Sequence, residues 1–136
     1  MSDAAKPLVL VVDDSVDARE IAAEFLAFSG YRTAEAATGP EALEKAASLR
    51  PDAILLDLWL PGIDGWEVAR RLKASRATAD ARIIALTAHV GEAPLARARA
   101  AGCDAVLTKP CSPDQLLEGI QRALSERSVP LRKDLA

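Results

Sequence analysis

Five short apolar runs alternate with five longer segments of helical period, and no other feature of the chain constrains its fold as much. The runs occupy residues 8–12, 31–36, 53–57, 82–86 and 104–107, and all but the weaker second one are dominated by Val, Ile, Leu and Ala. An apolar run without polar alternation marks a strand buried on both faces. Parallel neighbours need helical crossovers, and those crossovers supply both covers. The expected fold class is therefore α/β, a doubly wound five-stranded parallel sheet.

The helical segments carry their own start and stop signals. Over residues 15–29, Ile21, Phe25 and Phe28 recur at helical spacing, and Gly30 ends the segment. Thr38 with Glu41 and Asp64 with Glu67 each have the spacing of a capping box, in which the side chains at both ends satisfy orphan backbone donors. The helix that Thr38 opens runs to Arg50, before Pro51. The one opened by Asp64 runs through Val68 and Leu72 into the polar connection "SRATAD". Ser112 and Gln115 open the last helix, with Pro113 at the first helical position, where its missing donor costs nothing. The helix over 91–101 has Leu95 as its only large aliphatic side chain among Ala and Arg, so it is expected to be loosely held and to move when the site changes.

The 136 residues suit one domain. The expected division is an N-terminal extension over 1–6, a single domain over 7–126 and a flexible polar tail over 127–136. A net charge of -3, with 27% charged residues of both signs interspersed, gives no basic stripe, so direct nucleic-acid binding is not expected. No leader pattern opens the chain, and no apolar run approaches the roughly 20 residues that span a bilayer. The expectation is a cytoplasmic protein without membrane insertion. Cys103 and Cys111 lack metal-type spacing and read as buried or idle thiols.

In an open α/β sheet, ligands gather at the carboxyl ends of the strands. Here the first run ends in Asp13 and Asp14, the third in Asp57, the fourth in Thr87, and the fifth in Thr108, Lys109 and Pro110. Three carboxylates, a hydroxyl and an ammonium would share one rim. Clustered carboxylates repel one another and invite either a raised pKa or a divalent cation. Hard oxygen ligands favour Mg2+, which accepts phosphate oxygens in its remaining positions. A carboxylate in that setting can attack a phosphoryl group and become an aspartyl-phosphate, with Thr87 and Lys109 as grips on the phosphoryl oxygens.

Those residues, in "VVDDS", "LLDLWLPGIDG", "IIALTAH" and "LTKP", closely resemble the receiver domain of two-component response regulators, and the resemblance covers roughly residues 7–126. It implies a flavodoxin-like receiver fold with strand order 2-1-3-4-5. It also implies phosphorylation of Asp57 by a histidine kinase or histidine phosphotransfer protein, with a change in binding to a downstream protein target. Mg2+ would be held by Asp14 and Asp57 directly, by Asp13 largely through water, and by the backbone carbonyl of Trp59. The Lys109-Pro110 peptide is expected to be cis. Such a protein is a signalling phosphoacceptor rather than an enzyme, promoting only its own phosphoryl transfer and dephosphorylation.

The chain departs from the family's usual pattern in three ways. Val106 stands where an aromatic commonly reorients with the threonine, and Cys111 follows the Lys-Pro pair where an aromatic is frequent, which suits a small packing substitute. Trp59 and His89 occupy positions that flank the path of attacking water in the family, and both are read as modulating residues. Trp59 either shields the acyl phosphate or packs on its loop neighbours. His89 reads as a loop residue near the site.

Rival classes lack what they need. An aspartyl-nucleophile phosphatase requires a second acid two positions after the first, where this chain has Trp59. A nucleotide carrier needs a Gly-rich phosphate loop, whereas "DDSVD" would repel phosphate without metal. The strongest alternative is a receiver-like interaction module that works without phosphorylation. A stand-alone receiver is the expected form, meeting its phosphodonor on the first helix with Ala18 and Ala22 outward, and its target on the last two helices and the strand between them.

Overall fold

The protein is described by a computed structural model covering residues 6–88 and 91–127. Its strands are β1 (Leu8–Val12), β2 (Arg32–Ala36), β3 (Ala53–Asp57), β4 (Arg82–Thr87) and β5 (Ala105–Thr108), all parallel, in the order β2-β1-β3-β4-β5. Between and after them run α1 (Val16–Phe28), α2 (Gly39–Leu49), α3 (Gly65–Ala74), α4 (Glu92–Ala100) and α5 (Pro113–Arg127). This is the doubly wound fold expected from the alternation of runs.

Every residue of β1 and β3 is buried, which explains why their sequences show no polar alternation. Successive side chains still point to opposite faces. Leu10, Val12, Ile54, Leu56 and Ile83 join Ala42 and Ala46 of α2 and Val68 and Leu72 of α3 on one side. On the other, Val9, Val11, Leu55, Ile84 and Leu86 meet Ala23 and Leu26 of α1 and Leu116 and Ile120 of α5. Each fully buried aliphatic of this size contributes about 1.5–3 kcal/mol relative to exposure.

The face that α1 buries differs from the expected one. Ile21 is 63% and Phe28 92% exposed, while Ala23 and Leu26 pack on the sheet, with Ala22 and Phe25 half-buried beside them. Of the Ile21, Phe25 and Phe28 stripe, Phe25 alone packs on the sheet side, and the other two are left outside. Ala18 does lie on the exposed side, whereas Ala22 does not.

The three capping boxes have different outcomes. At α5 the exchange is reciprocal: the Gln115 N–H donates to Ser112 Oγ at 3.2 Å and the Ser112 N–H to Gln115 Oε1 at 2.9 Å. At α2 the Glu41 N–H donates to Thr38 Oγ1 at 3.2 Å, but the Glu41 carboxylate accepts from Ala37, one residue before the cap. At α3 the Glu67 N–H donates to Asp64 Oδ1 at 2.9 Å, while the Glu67 carboxylate turns outward to Arg70 and Arg71. Those two guanidiniums hold its carboxyl pKa down at about 2. Ser112→Ala removes the cap with the full exchange and is expected to lower the unfolding free energy by about 1 kcal/mol in urea denaturation.

At the amino ends of the strands, two aspartates stitch neighbours together. Asp52 Oδ2 accepts the Leu8 N–H at 2.8 Å. Asp104 Oδ2 accepts the Ile83 N–H at 2.8 Å and the Lys73 ammonium at 3.0 Å, and Arg82 adds a contact to the other oxygen at 3.3 Å. Among the described residues no helix is long and apolar enough to cross a membrane.

Candidate functional site

The candidate site forms at the carboxyl ends of β1, β3, β4 and β5. The turn after β1 folds on itself: the Ser15 N–H donates to Asp13 Oδ1 at 2.9 Å, and Ser15 then caps α1. Arg19, one turn into that helix, donates to the Asp13 carbonyl at 2.9 Å and to Glu35 of β2 at 2.9 Å, fixing the loop from behind. Asp13 is buried while Asp14 is exposed.

Asp57 is the last residue of β3 and only 5% exposed. Its Oδ1 accepts the Trp59 N–H at 2.9 Å, and its Oδ2 accepts the Lys109 ammonium at 3.1 Å. Lys109 also reaches Asp13 Oδ2 at 3.3 Å, bridging the two carboxylates. One carboxylate oxygen from each of Asp13, Asp14 and Asp57 lies within 4.8 Å of the others.

The loop after Asp57 can return this tightly because residue 65 is glycine. The Gly65 N–H donates to the Leu58 carbonyl at 3.0 Å, and a Cβ at Gly65 would sit 2.5 Å from Leu58 Cα and 2.7 Å from the Asp57 carbonyl oxygen.

Burial pushes the Asp57 carboxyl pKa up. The Trp59 N–H and Lys109 pull the other way, and the charge of Asp13 adds to the rise. Burial also works against the charge on Lys109, but its bond to Asp57 and the charges of Asp57 and Asp13 more than offset it, so its pKa is raised and it stays protonated. A carboxyl group whose burial works against its charge, set beside an ammonium and a second acid, is suited to react or to bind a cation. Three clustered carboxylate oxygens are also the donor set that a hard divalent ion prefers.

Thr87 ends β4, one residue later than the apolar run alone suggested, and is 2% exposed. Its carbonyl accepts the Lys109 N–H at 2.8 Å, so the threonine and the lysine are held in neighbouring strand ends. The Lys109-Pro110 peptide is cis. Val106 is half-buried against the core on the α2 and α3 side, and Cys111 against the opposite one. Cys103 and Cys111 are both free thiols, and burial pushes that of Cys103 up to about 12. His89 lies outside the described residues, as do 1–5 of the expected extension and 128–136 of the expected tail.

Sequence reasoning singled out Trp59 but missed what it rests on. Its indole, 52% exposed, meets Trp66 edge to face with centroids 5.7 Å apart and planes at 82°. The guanidinium of Arg97, on α4, lies 3.9 Å from the centroid of the Trp66 ring. The available signal was the second Trp, placed in the first turn of α3.

The geometry defines a doubly wound α/β protein with a lysine-bridged acidic site at its carboxyl rim. The sequence matches the response regulator receiver domain over residues 9–121, and the chain belongs to that family. It is 40% identical over 116 residues to the phosphate regulon transcriptional regulatory protein PhoB of Pseudomonas aeruginosa, covering 85% of this chain and 51% of PhoB. It is likewise 40% identical over 122 residues to the response regulator MprA of Mycolicibacterium vanbaalenii, covering 90% of this chain and 52% of MprA. The chain thus spans about half the length of these curated relatives. Among solved structures, the chemotaxis protein CheY4 of Vibrio cholerae superposes with a TM-score of 0.84 at 33% identity, over 88% of this chain and 99% of that one. A CheY-like receiver domain from Methanospirillum hungatei gives 0.85 at 29% identity, over 91% and 98%.

Proposed function

We propose that this receiver domain is a phosphoacceptor switch in which Asp57 takes a phosphoryl group from a phosphohistidine on a kinase or phosphotransfer protein. The observation that carries this reading is the buried Asp57 carboxylate, bridged by Lys109 to Asp13 at the strand-end rim. An Asp57 carboxylate oxygen forms the new bond to phosphorus as the bond from phosphorus to the histidine nitrogen breaks, and that nitrogen keeps the electron pair. Lys109, already between Asp57 and Asp13, meets the incoming negative charge, and the Thr87 hydroxyl donates to a phosphoryl oxygen. Catalysis of such a transfer is mostly positioning and charge neutralisation.

Asp13, Asp14 and Asp57, with the backbone carbonyl of Trp59, are the groups that would hold Mg2+. Its chemistry when bound is to neutralise the crowded carboxylate and phosphoryl oxygens. The added phosphoryl charge gives Thr87 and Lys109 a new acceptor, and a tenfold shift between two arrangements requires only about 1.4 kcal/mol of differential interaction. Such a shift changes which protein target the domain binds.

The phosphodonor meets α1, which stands beside the site. Ala18, Ile21 and Phe25 of this helix, with Pro110, Cys111 and Leu116, line an open apolar groove of about 560 Å³ that reaches Asp13 and Lys109. Asp14, Asp17, Glu20 and Glu24 are all exposed along the same stretch of chain, giving a donor charge as well as apolar surface to recognise.

Intact mass after incubation with acetyl phosphate tests this reading, with and without Mg2+. The expected result is one metal-dependent, hydroxylamine-labile phosphoryl adduct. Mg2+ binding with no adduct from acetyl phosphate or from any phosphohistidine donor would instead leave the domain as a phosphorylation-independent interaction module.

A further inference from the structure

We propose that Arg97 is a positioning residue for phosphoryl-group lifetime: acting through Trp66, it holds the Trp59 indole at the lip of the Asp57 site. This inference rests on the reading of Asp57 as the phosphoacceptor. Loss of the group by hydrolysis needs a water oxygen to bond to phosphorus as the bond from phosphorus to the Asp57 oxygen breaks. The carboxylate is regenerated, inorganic phosphate leaves, and the water's proton goes to phosphate or solvent. A bulky ring beside the phosphoryl group slows this step only while it is kept in place.

Trp59 is anchored at its backbone, since its N–H is bonded to Asp57 Oδ1. Its side chain is half exposed and meets Trp66 edge to face. Trp66 is 93% buried by its exposure of 7%, so it makes a firm backstop. One broad face of that backstop is covered by the Arg97 guanidinium, which also pairs with Asp64, the cap of α3, at 3.5 Å. The ion pair alone is a weak restraint, because both partners are substantially exposed. Stacking over a buried ring adds the geometric definition that the ion pair lacks.

Arg97 belongs to the helix with the least apolar anchorage. Ala98 is the buried residue of α4, and the cap of that helix, Gly91, makes no side-chain bond to it. The stack on Trp66 and the pair with Asp64 therefore add to what holds α4 beside α3. A shift of α4 removes the guanidinium from Trp66 and loosens Trp59, so whatever holds α4 also prolongs the acyl phosphate. By the same linkage, an ordered Trp59 favours the docked position of α4.

The test compares wild type, Arg97→Gln, Arg97→Lys, Trp59→Ala and the Trp59→Ala/Arg97→Gln double variant. Each is phosphorylated with acetyl phosphate and Mg2+, freed of donor, and followed as the labile phosphate is lost. Arg97→Gln is expected to shorten the lifetime about two- to five-fold, the scale of a cation–π contact at a partly exposed site. Arg97→Lys should recover part of the loss, with the rate of phosphoryl uptake unchanged. The double variant should decay no faster than Trp59→Ala alone, because the arginine acts through that ring. An unchanged lifetime in Arg97→Gln, or multiplicative effects in the double variant, overturns the proposal.

Acrylamide quenching of the unphosphorylated protein separates this claim from the reading beneath it, since the chain has two Trp residues and Trp59 is the exposed one. Measured in a Trp66→Phe background, where Trp59 is the sole indole and the stacked ring is kept aromatic, stronger quenching in Arg97→Gln supports the hold on Trp59, and equal quenching overturns it. If wild-type protein gains no adduct, the phosphoacceptor reading and the lifetime claim both fall, and quenching still decides whether Arg97 holds the ring.

Discussion

Asp57→Asn is expected to take up no phosphoryl group and, in metal-free buffer, to melt a few degrees above the wild type. The first outcome follows because an amide oxygen is not a competent nucleophile, and no adjacent carboxylate has the same relation to Lys109 and Trp59. The second follows from the cost of the native charge. Asp57 is buried, its pKa is raised chiefly by that burial, and Asp13 lies close with the same charge. An Asn oxygen keeps the size and can still accept from Trp59 N–H, while Lys109 retains Asp13 as a partner. Removing the charge at constant shape should therefore stabilise the fold. About 1 kcal/mol corresponds to a shift of roughly 2–8 °C for domains in this size range.

The pH dependence has a definite sign. Because the folded-state pKa of Asp57 lies above its unfolded value, the native protein binds that proton more tightly than the unfolded chain does. Ionisation of Asp57 thus opposes folding above the raised pKa, and the penalty is lost as pH falls through it toward the unfolded value. The gap in Tm between Asp57→Asn and wild type should narrow on acidification. Adding Mg2+ should reverse the order, raising the wild-type Tm and leaving the variant nearly unmoved, since a ligand stabilises only the state that binds it. Thermal scans in chelator and in Mg2+ read both effects, and a wild-type Tm indifferent to Mg2+ would remove the acidic cluster as a cation site.

Gly65→Ala should be the most damaging small substitution near the site. Its added carbon would meet backbone atoms of Leu58 and Asp57 at 2.5 Å and 2.7 Å, which no side-chain rotation can relieve. Overpacking of this kind costs about 1–3 kcal/mol, and here the strain falls on the strand end that aims Asp57. Phosphoryl uptake should fall with stability although every polar group of the site is intact. Gly62→Ala makes a useful contrast. Its Cβ would enter open space, but a φ of +77° strains any side chain, so a stability loss of about 1 kcal/mol without an equivalent loss of uptake is expected. Equal uptake by Gly65→Ala and wild type would show that the loop can yield without moving Asp57.

The fold was legible where one physical cause dominates. Strands buried on both faces must be apolar throughout, so the runs ending at Asp13 and Asp57 identified β1 and β3 and placed the carboxylates on one rim. The Thr38 and Asp64 signals located helix starts correctly, yet their glutamates found other partners in Ala37 N–H and in Arg70 and Arg71. Local spacing fixes the cap itself, but the reciprocal contact competes with whatever else the carboxylate can reach. Ile21 and Phe28 misled for a related reason. Helical period shows that a stripe exists, while the tertiary packing of small residues such as Ala23 decides which arc is buried. The bridge from Lys109 to Asp13 and the Trp66–Arg97 stack join residues far apart in the chain, and no local pattern encodes them.

Asp52 and Asp104 rivet the sheet at one end. Each sits just before a strand and takes the first or second N–H of the neighbouring strand, Leu8 or Ile83, and Asp104 adds Lys73 from the tail of α3. The opposite end carries Asp57, Thr87 and Lys109, whose bonds a phosphoryl group would redistribute. If Asp57 is the phosphoacceptor, β4 and β5 would be loaded like cantilevers, clamped at Asp104 and pushed at the tip. Displacement begun at the tip would be largest where α4 and α5 join the strands and would die away toward the clamp. Loosening the clamp with Asp104→Asn would soften both strands along their whole length, blurring the two arrangements between which a switch must choose.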